Sequence, residues 1–277
     1  MNEQSTTATA ALNELLRIMA CLRHPSLGCP WDLQQSFATI APHTLEETYE
    51  VLDCIERGDL QHLPEELGDL LFQVVFYARL GEEAGLFDFN AIAQLISGKL
   101  LRRHPHVFPR ATLDSFGAEP TLDANGVSQQ WEAIKADERR AAQDDHSILA
   151  DVPLALGALL RAAKLQKRAS RHGLDWPDAA QVMHKLDEEL SELKAALARG
   201  AQAEIAEEFG DLLFSVVNLG RHLHCEAESA LRAANRKFER RVRAVEALCA
   251  AAGKNMRDCG AAELDEWWRQ VKREQEQ

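Results

Sequence analysis

The chain has 277 residues, and 44 acidic against 31 basic side chains leave a net charge of −13. Such a balance argues against a protein that coats DNA or RNA, which needs a clustered positive surface. The length suits about two domains, each large enough to bury its own core. Cysteines at 21, 29, 54, 225, 249 and 259 form no C-x-x-C pair, so neither a zinc site nor a redox dithiol is indicated. The opening MNEQSTTATAALNEL lacks a basic start and an apolar core, and the apolar run from Leu70 to Ala78 is too short to span a bilayer. A soluble, reduced, cytoplasmic protein with no membrane partner is expected.

In chain order, Leu12, Leu15, Leu16, Met19 and Leu22 recur at helical spacing, which predicts an amphipathic helix ending near His24-Pro25. After the tight loop Gly28-Cys29-Pro30-Trp31-Asp32, Thr44-Leu45-Glu46-Glu47 reads as a capping box that opens a second helix, with Gly58 as its C-cap. Pro64 suits the first turn of a third helix, whose broad apolar face is Leu67, Leu70, Leu71, Val74, Val75 and Ala78. Gly85 to Asn90 is a turn, and a fourth helix runs on to His104-Pro105. From Pro109 to Gln130 helical patterning stops, which predicts a mobile linker, followed by a charged helix from Trp131 to about Gln143. The second half repeats the order: a helix from Leu154 to Arg171, a loop with Asp175-Trp176-Pro177, two acidic helices that turn near Gly200, a basic helix around Arg232 to Arg241, and a short helix with Trp267-Trp268. No period-2 strand pattern occurs, so the expected fold is all-α.

The two halves are copies. Aligned at a fixed offset of 142, residues 46–79 and 188–221 are identical at 15 of 34 positions without a gap. A period this long predicts domains rather than stacked solenoid units: 1–120, a linker and connecting helix over 121–150, and 151–277. The acids survive in both copies, with Glu47, Glu50, Glu66 and Asp69 matched by Glu189, Glu192, Glu208 and Asp211 at spacings of 3, 16 and 3.

Residues three apart share a helix face, so two antiparallel helices can bring four carboxylates together. Two unpaired carboxylates about 5 Å apart repel by roughly 3 kcal/mol at an effective dielectric near 20, and a divalent cation removes that cost. Local helix chemistry could explain any one acid, but not all four: Thr44 becomes Leu186 and Pro64 becomes Ala206, while the acids remain. An all-oxygen ligand set favours Mg²⁺ or Mn²⁺. The Glu-x-x-His pattern of di-iron bundles is missing from these acids. Lys237, Arg240 and Arg241 fall on adjacent helix faces, with Lys99, Arg102 and Arg103 comparably placed in the first copy. A cationic row beside a metal cluster suits a polyphosphate. A solvated basic face is the alternative there, and core packing is the alternative for Trp176 and Trp268 as base-stacking groups.

The runs Gly-Cys-Pro-Trp-Asp (28–32), Thr-Leu-Glu-Glu-Thr-Tyr-Glu (44–50), Glu-Leu-Gly-Asp-Leu-Leu-Phe (66–72) and Arg-Arg-His-Pro-His-Val-Phe (102–108) resemble the MazG family of the all-α NTP pyrophosphatase superfamily. The resemblance covers nearly the whole chain. It implies tandem MazG-like helical bundles pairing in a homodimer, and Mg²⁺-dependent hydrolysis of nucleoside and deoxynucleoside triphosphates to a monophosphate and pyrophosphate. It implies Mg²⁺ at Glu189, Glu192, Glu208 and Asp211, phosphates at Lys237 and Arg241 beside Arg240 and Glu207, and a nucleotide site completed by Lys185 and Trp268. Glu188 or Glu189 would serve as general base, and Glu208 would be essential to turnover. The second copy is the expected working site, with the first copy degenerate or structural. One departure is Glu204, where relatives carry a phosphate-binding lysine. A narrower dUTP or phosphoribosyl-ATP hydrolase and a non-catalytic nucleotide- or metal-binding scaffold are the alternatives.

Overall fold

A computed structural model describes residues 3–117, 123–142 and 147–275, and every regular element among them is helical. The helices are α1 (Glu3–Leu22), α2 (Pro30–Gln34), α3 (Phe37–Arg57), α4 (Leu63–Glu83), α5 (Phe89–Arg103), α6 (Ala124–Ala142), α7 (Ala158–Ser170), α8 (Ala179–Arg199), α9 (Gln202–His222), α10 (Ala227–Ala251) and α11 (Ala261–Gln275). The chain divides into two units, 1–138 and 139–277. None of these helices is long and apolar enough to cross a membrane.

Each unit is built on one helix pair, α3 with α4 and α8 with α9. Both α3 and α8 end at a glycine in the left-handed conformation, Gly58 at φ 70° and Gly200 at φ 69°, where a side chain would be strained. The sequence places both turns correctly. It misplaces the start of α3, because Thr44 caps nothing. The helix opens at Phe37 on a reciprocal capping box between Ser36 and Thr39 and continues through Pro42. That proline costs one backbone bond close to the N-terminus, and burial of Ile40 and the parallel stacking of Phe37 on Tyr77 at 6.1 Å offset it. Thr44 instead ties α3 to α4 through a 2.8 Å hydrogen bond with the Tyr77 hydroxyl.

The irregular segment after α5 is also shorter than expected. A 3-10 turn forms at Leu113–Ser115, and α6 starts at Ala124 instead of Trp131. Residues 118–122 and 143–146 of the expected linker and connecting helix lie outside the described residues. Tertiary contacts with the end of α5 hold α6: Arg103 meets Glu138 at 2.6 Å, and His104 and Trp131 stand 5.9 Å apart. In the other unit α7 starts at Ala158, four residues later than Leu154, which is exposed.

The first unit's core is Met19, Ile40, Val75, Phe76 and Leu80, drawn from α1, α3 and α4. A smaller core in the second unit joins Val245 and Cys249 of α10 to Val271 of α11, with Trp267 and Trp268 against it. Close approach fixes the end of α4. A Cβ on Gly81 would stand 2.5 Å from the Phe87 ring and 2.7 Å from the Phe87 carbonyl, because the chain folds back over this glycine. We expect Gly81→Ala to cost about 1–3 kcal/mol in urea unfolding, the usual range for overpacking. An unchanged midpoint would show that the turn can shift aside.

Candidate active site

The acids that motivated the sequence reading do converge. Glu189 on α8 and Glu208 and Asp211 on α9 each offer a carboxylate oxygen within 4.8 Å of the others, and Glu47, Glu66 and Asp69 do the same in the first unit. Helical periodicity puts Glu208 and Asp211 one turn apart on one face, and the α8–α9 turn brings Glu189 opposite. The fourth acid of each set is not in the group of three. Glu50 hydrogen-bonds to Glu47, and the charge of Glu192 acts on Glu208. Glu207 also acts on Glu208 by its charge, and Glu188 stands exposed beside the cluster.

Gathering like charges has a measurable consequence. Partial burial, and then the charges of Glu192, Glu189, Asp211 and Glu207, push the Glu208 carboxyl above its ordinary pKa. Burial likewise raises Glu47, assisted by the hydrogen bond to Glu50 and the charges of Glu50, Asp69 and Glu46. A divalent cation at either cluster would reverse the sign of this interaction. Three carboxylates with no nitrogen or sulfur donor among them suit a hard ion. Judged by its donors, the second unit's cluster fits Mg²⁺ or Mn²⁺.

Lys185 is the principal neighbour of the second cluster. Its Nζ lies 2.7 Å from Glu189 Oε1 and 2.9 Å from Glu188 Oε1, and these two carboxylates raise the pKa of the ammonium. Glu189 itself is only 4% exposed. At the corresponding place in the first unit stands His43, whose Nδ1 is 3.6 Å from Glu46. Sequence reasoning named Lys185 only by resemblance. Its spacing of four residues before Glu189 was the available signal for the ion pair.

The cations of α10 form a second group. Lys237 and Arg240 are exposed, and the Arg241 guanidinium lies 6.0 Å from the centre of the Trp268 ring, which also meets Phe238 at 5.7 Å. Trp268 packs on the small core with one side and carries Arg241 on its ring. Core packing and a cation–π pair are thus both present. The first-copy row is occupied differently, since Arg102 and Arg103 both pair with Glu138 of α6. Glu204, where a lysine was expected, pairs with Arg199 at 2.5 Å across the α8–α9 turn, so the position closes the turn here.

Two of the cavities among the described residues were not foreseen. The larger, about 840 Å³, lies among α1, α4 and α5 beside Leu16, Met19, Val75 and Phe89, and none of the clustered acids lines it. The smaller, about 550 Å³, is lined by Gln166, Asp175, Trp176, Phe214 and Asn218. Asp175 there pairs with Arg221 and lies 3.4 Å from His222. Trp176 therefore faces a cavity, and Phe214 borders that cavity one helical turn beyond Asp211.

The profile of the MazG nucleotide pyrophosphohydrolase domain matches this chain twice, over residues 35–108 and 178–245. The two matches contain both acid clusters. A nucleoside triphosphate pyrophosphohydrolase of Escherichia coli (strain K12) is 51% identical over 266 residues, covering 95% of this chain and 98% of the relative. The chain belongs to the MazG nucleotide pyrophosphohydrolase family. A MazG nucleoside triphosphate pyrophosphohydrolase/pyrophosphatase of Thermotoga maritima is 40% identical over 260 residues, 94% of each chain. Similarity to a Mycobacterium tuberculosis nucleoside triphosphate pyrophosphohydrolase is partial, 36% over 147 residues and 41% of that protein. Tandem MazG domains account for the 142-residue repeat.

Proposed function

We propose that this chain hydrolyses nucleoside and deoxynucleoside triphosphates between the α and β phosphates, releasing a monophosphate and pyrophosphate, with Mg²⁺ or Mn²⁺ at the second unit's acids. The observation that carries this reading is the convergence of Glu189, Glu208 and Asp211 from two helices to within 4.8 Å. Glu189, Glu208 and Asp211 hold the cation, and Glu192 adds charge beside Glu208. A divalent cation so held supplies charge neutralisation on the phosphates. Glu188 is exposed and outside the group of three, which leaves its carboxylate free of ligand duty to orient water and accept its proton as general base. Glu207, exposed beside Glu208, is assigned a substrate contact. Lys237, Arg240 and Arg241 bind phosphate oxygens and stabilise the charge on departing pyrophosphate. Trp268 offers the base an aromatic face next to Arg241.

Phosphorus NMR of the purified chain with Mg²⁺ and mixed triphosphates tests this directly. Monophosphate and pyrophosphate are expected, from several bases rather than from dUTP or phosphoribosyl-ATP alone. Diphosphate with orthophosphate would discard the reading, and binding without any product would favour the scaffold. The substrates are small soluble anions and the setting is the cytoplasm. A net charge of −13 argues against a nucleic acid polymer as partner.

The working form we infer is a homodimer. Helices α3 and α4, having buried one face, leave Leu45, Tyr49, Leu52, Leu67 and Leu71 exposed, with Tyr49 at 45% and Leu67 at 47%. Phe209 and Leu213 repeat the last two in α9, Phe209 at 52%. A second copy of the chain covers these apolar rows, which a monomer would leave in water. Light scattering should give twice the chain mass, and Leu67→Glu with Leu71→Glu should halve it. A monomeric mass for the unaltered chain would remove the assignment.

A further inference from the structure

The placement of Lys185 suggests a role beyond nucleotide contact. Its ammonium sits 2.7 Å from the buried Glu189 and 2.9 Å from Glu188, and so occupies the charge that a divalent ion at Glu189 would need. The ammonium and a dication cannot share one carboxylate cheaply, since their mutual repulsion acts over a few ångströms in a partly buried place. Glu189 would not be left without a counter-charge when the ion is absent, because Lys185 provides one. At the matching position of the first unit His43 faces Glu46, and no cation lies within ion-pair distance of Glu47 among the described residues.

We propose that Lys185 is a displaceable internal counter-ion, which blocks stable metal loading of the second unit's cluster until a triphosphate draws its ammonium onto phosphate oxygens. The proposal rests on the metal-dependent pyrophosphohydrolase reading above. Lysine suits the task, being a compact charge on a flexible four-carbon stem with a new anion to receive it. Metal and triphosphate then bind cooperatively, since each removes Lys185 from Glu189, and the coupling is reciprocal by linkage. Lys185 thereby makes the cluster selective for an ion that arrives with a polyphosphate.

Mn²⁺ titration followed by electron paramagnetic resonance decides the matter. The full chain carries Glu47→Gln and Asp69→Asn so that the first unit's acids contribute nothing. Without nucleotide, Lys185→Gln and Lys185→Ala should each bind Mn²⁺ at least about tenfold more tightly than the parent, and Lys185→Arg should match the parent. A non-hydrolysable α,β-methylene triphosphate should tighten Mn²⁺ binding in the parent by a larger factor than in Lys185→Gln. Misfolding lowers affinity and cannot mimic the gain. Equal or weaker Mn²⁺ binding in both truncations, in a chain that does release pyrophosphate, overturns the Lys185 role alone. No Mn²⁺ binding even with the analogue, together with no pyrophosphate release, overturns the function and this proposal together.

Discussion

Glu208→Ala should lower triphosphate turnover by about a thousandfold or more, while Glu66→Ala, the same substitution at the matching place in the first unit, should leave turnover within about twofold. The repeat supplies its own control, because both glutamates stand in a three-carboxylate group whose oxygens lie within 4.8 Å of one another. Loss of Glu208 leaves two carboxylates where three converged, and removes the one whose proton affinity is raised by partial burial and by the surrounding acids. Neither substitution opens the core, since both side chains are half-buried. A steady-state assay of pyrophosphate release, with helicity checked by circular dichroism, reads the result. Equal losses in both variants would mean that the first unit also turns over or that the two clusters act together. Full activity in Glu208→Ala would remove the assigned site.

The second large effect falls on stability. Arg23 is 7% exposed and holds the end of α1 against α4 through a 2.6 Å pair with Glu83, while donating to the carbonyls of Asp32 and Gln35. Arg23→Met keeps much of the volume and removes every one of these bonds. Breaking a buried pair from one side costs 3–5 kcal/mol in general. Glu83 is partly exposed and keeps Arg79 at 2.7 Å, so the expected loss is near the lower bound, about 3 kcal/mol. The hydrogen bond from Arg23, helped by Arg79, holds the Glu83 carboxyl below its ordinary pKa. A depressed carboxylate contributes stability that is complete above the unfolded value and lost as pH falls through the folded one. The unaltered chain should therefore lose this contribution below about pH 4.3, the usual glutamate range, and Arg23→Met should show a shallower acid dependence. Urea midpoints between pH 3 and 7 measure both. Coincident curves for the two proteins would show that the Arg23–Glu83 pair contributes nothing to folding, and parallel, offset curves that its contribution does not depend on Glu83 ionisation.

Much of the site was legible because helical periodicity is a local rule. Spacings of three place Glu208 and Asp211 on one face wherever α9 happens to pack, and the glycine at 200 needs its left-handed backbone to turn α8 into α9. The repeat then showed that capping alone does not explain the acids: Leu186 stands where Thr44 stood, and Glu189 remains. Where reading failed, it failed at the starts of α3 and α6. Thr44 to Glu47 read as a helix start and the stretch of Gly, Asn and Ser before Trp131 as a linker, yet packing of Phe37 onto Tyr77 extends α3 toward its N-terminus and contacts with the end of α5 hold α6. Local propensities of this size yield to tertiary contacts.

By itself the sequence determined an all-α chain of two homologous units and the acids that repeat at matching spacing in both, because these follow from residue type and from spacing along one helix. Only the tertiary structure decided which three of the four acids converge, that Lys185 is the counter-ion of Glu189, and that Arg102 and Arg103 are already paired. Those facts depend on distances between separate helices or between side-chain tips, and the order of residues does not specify such distances.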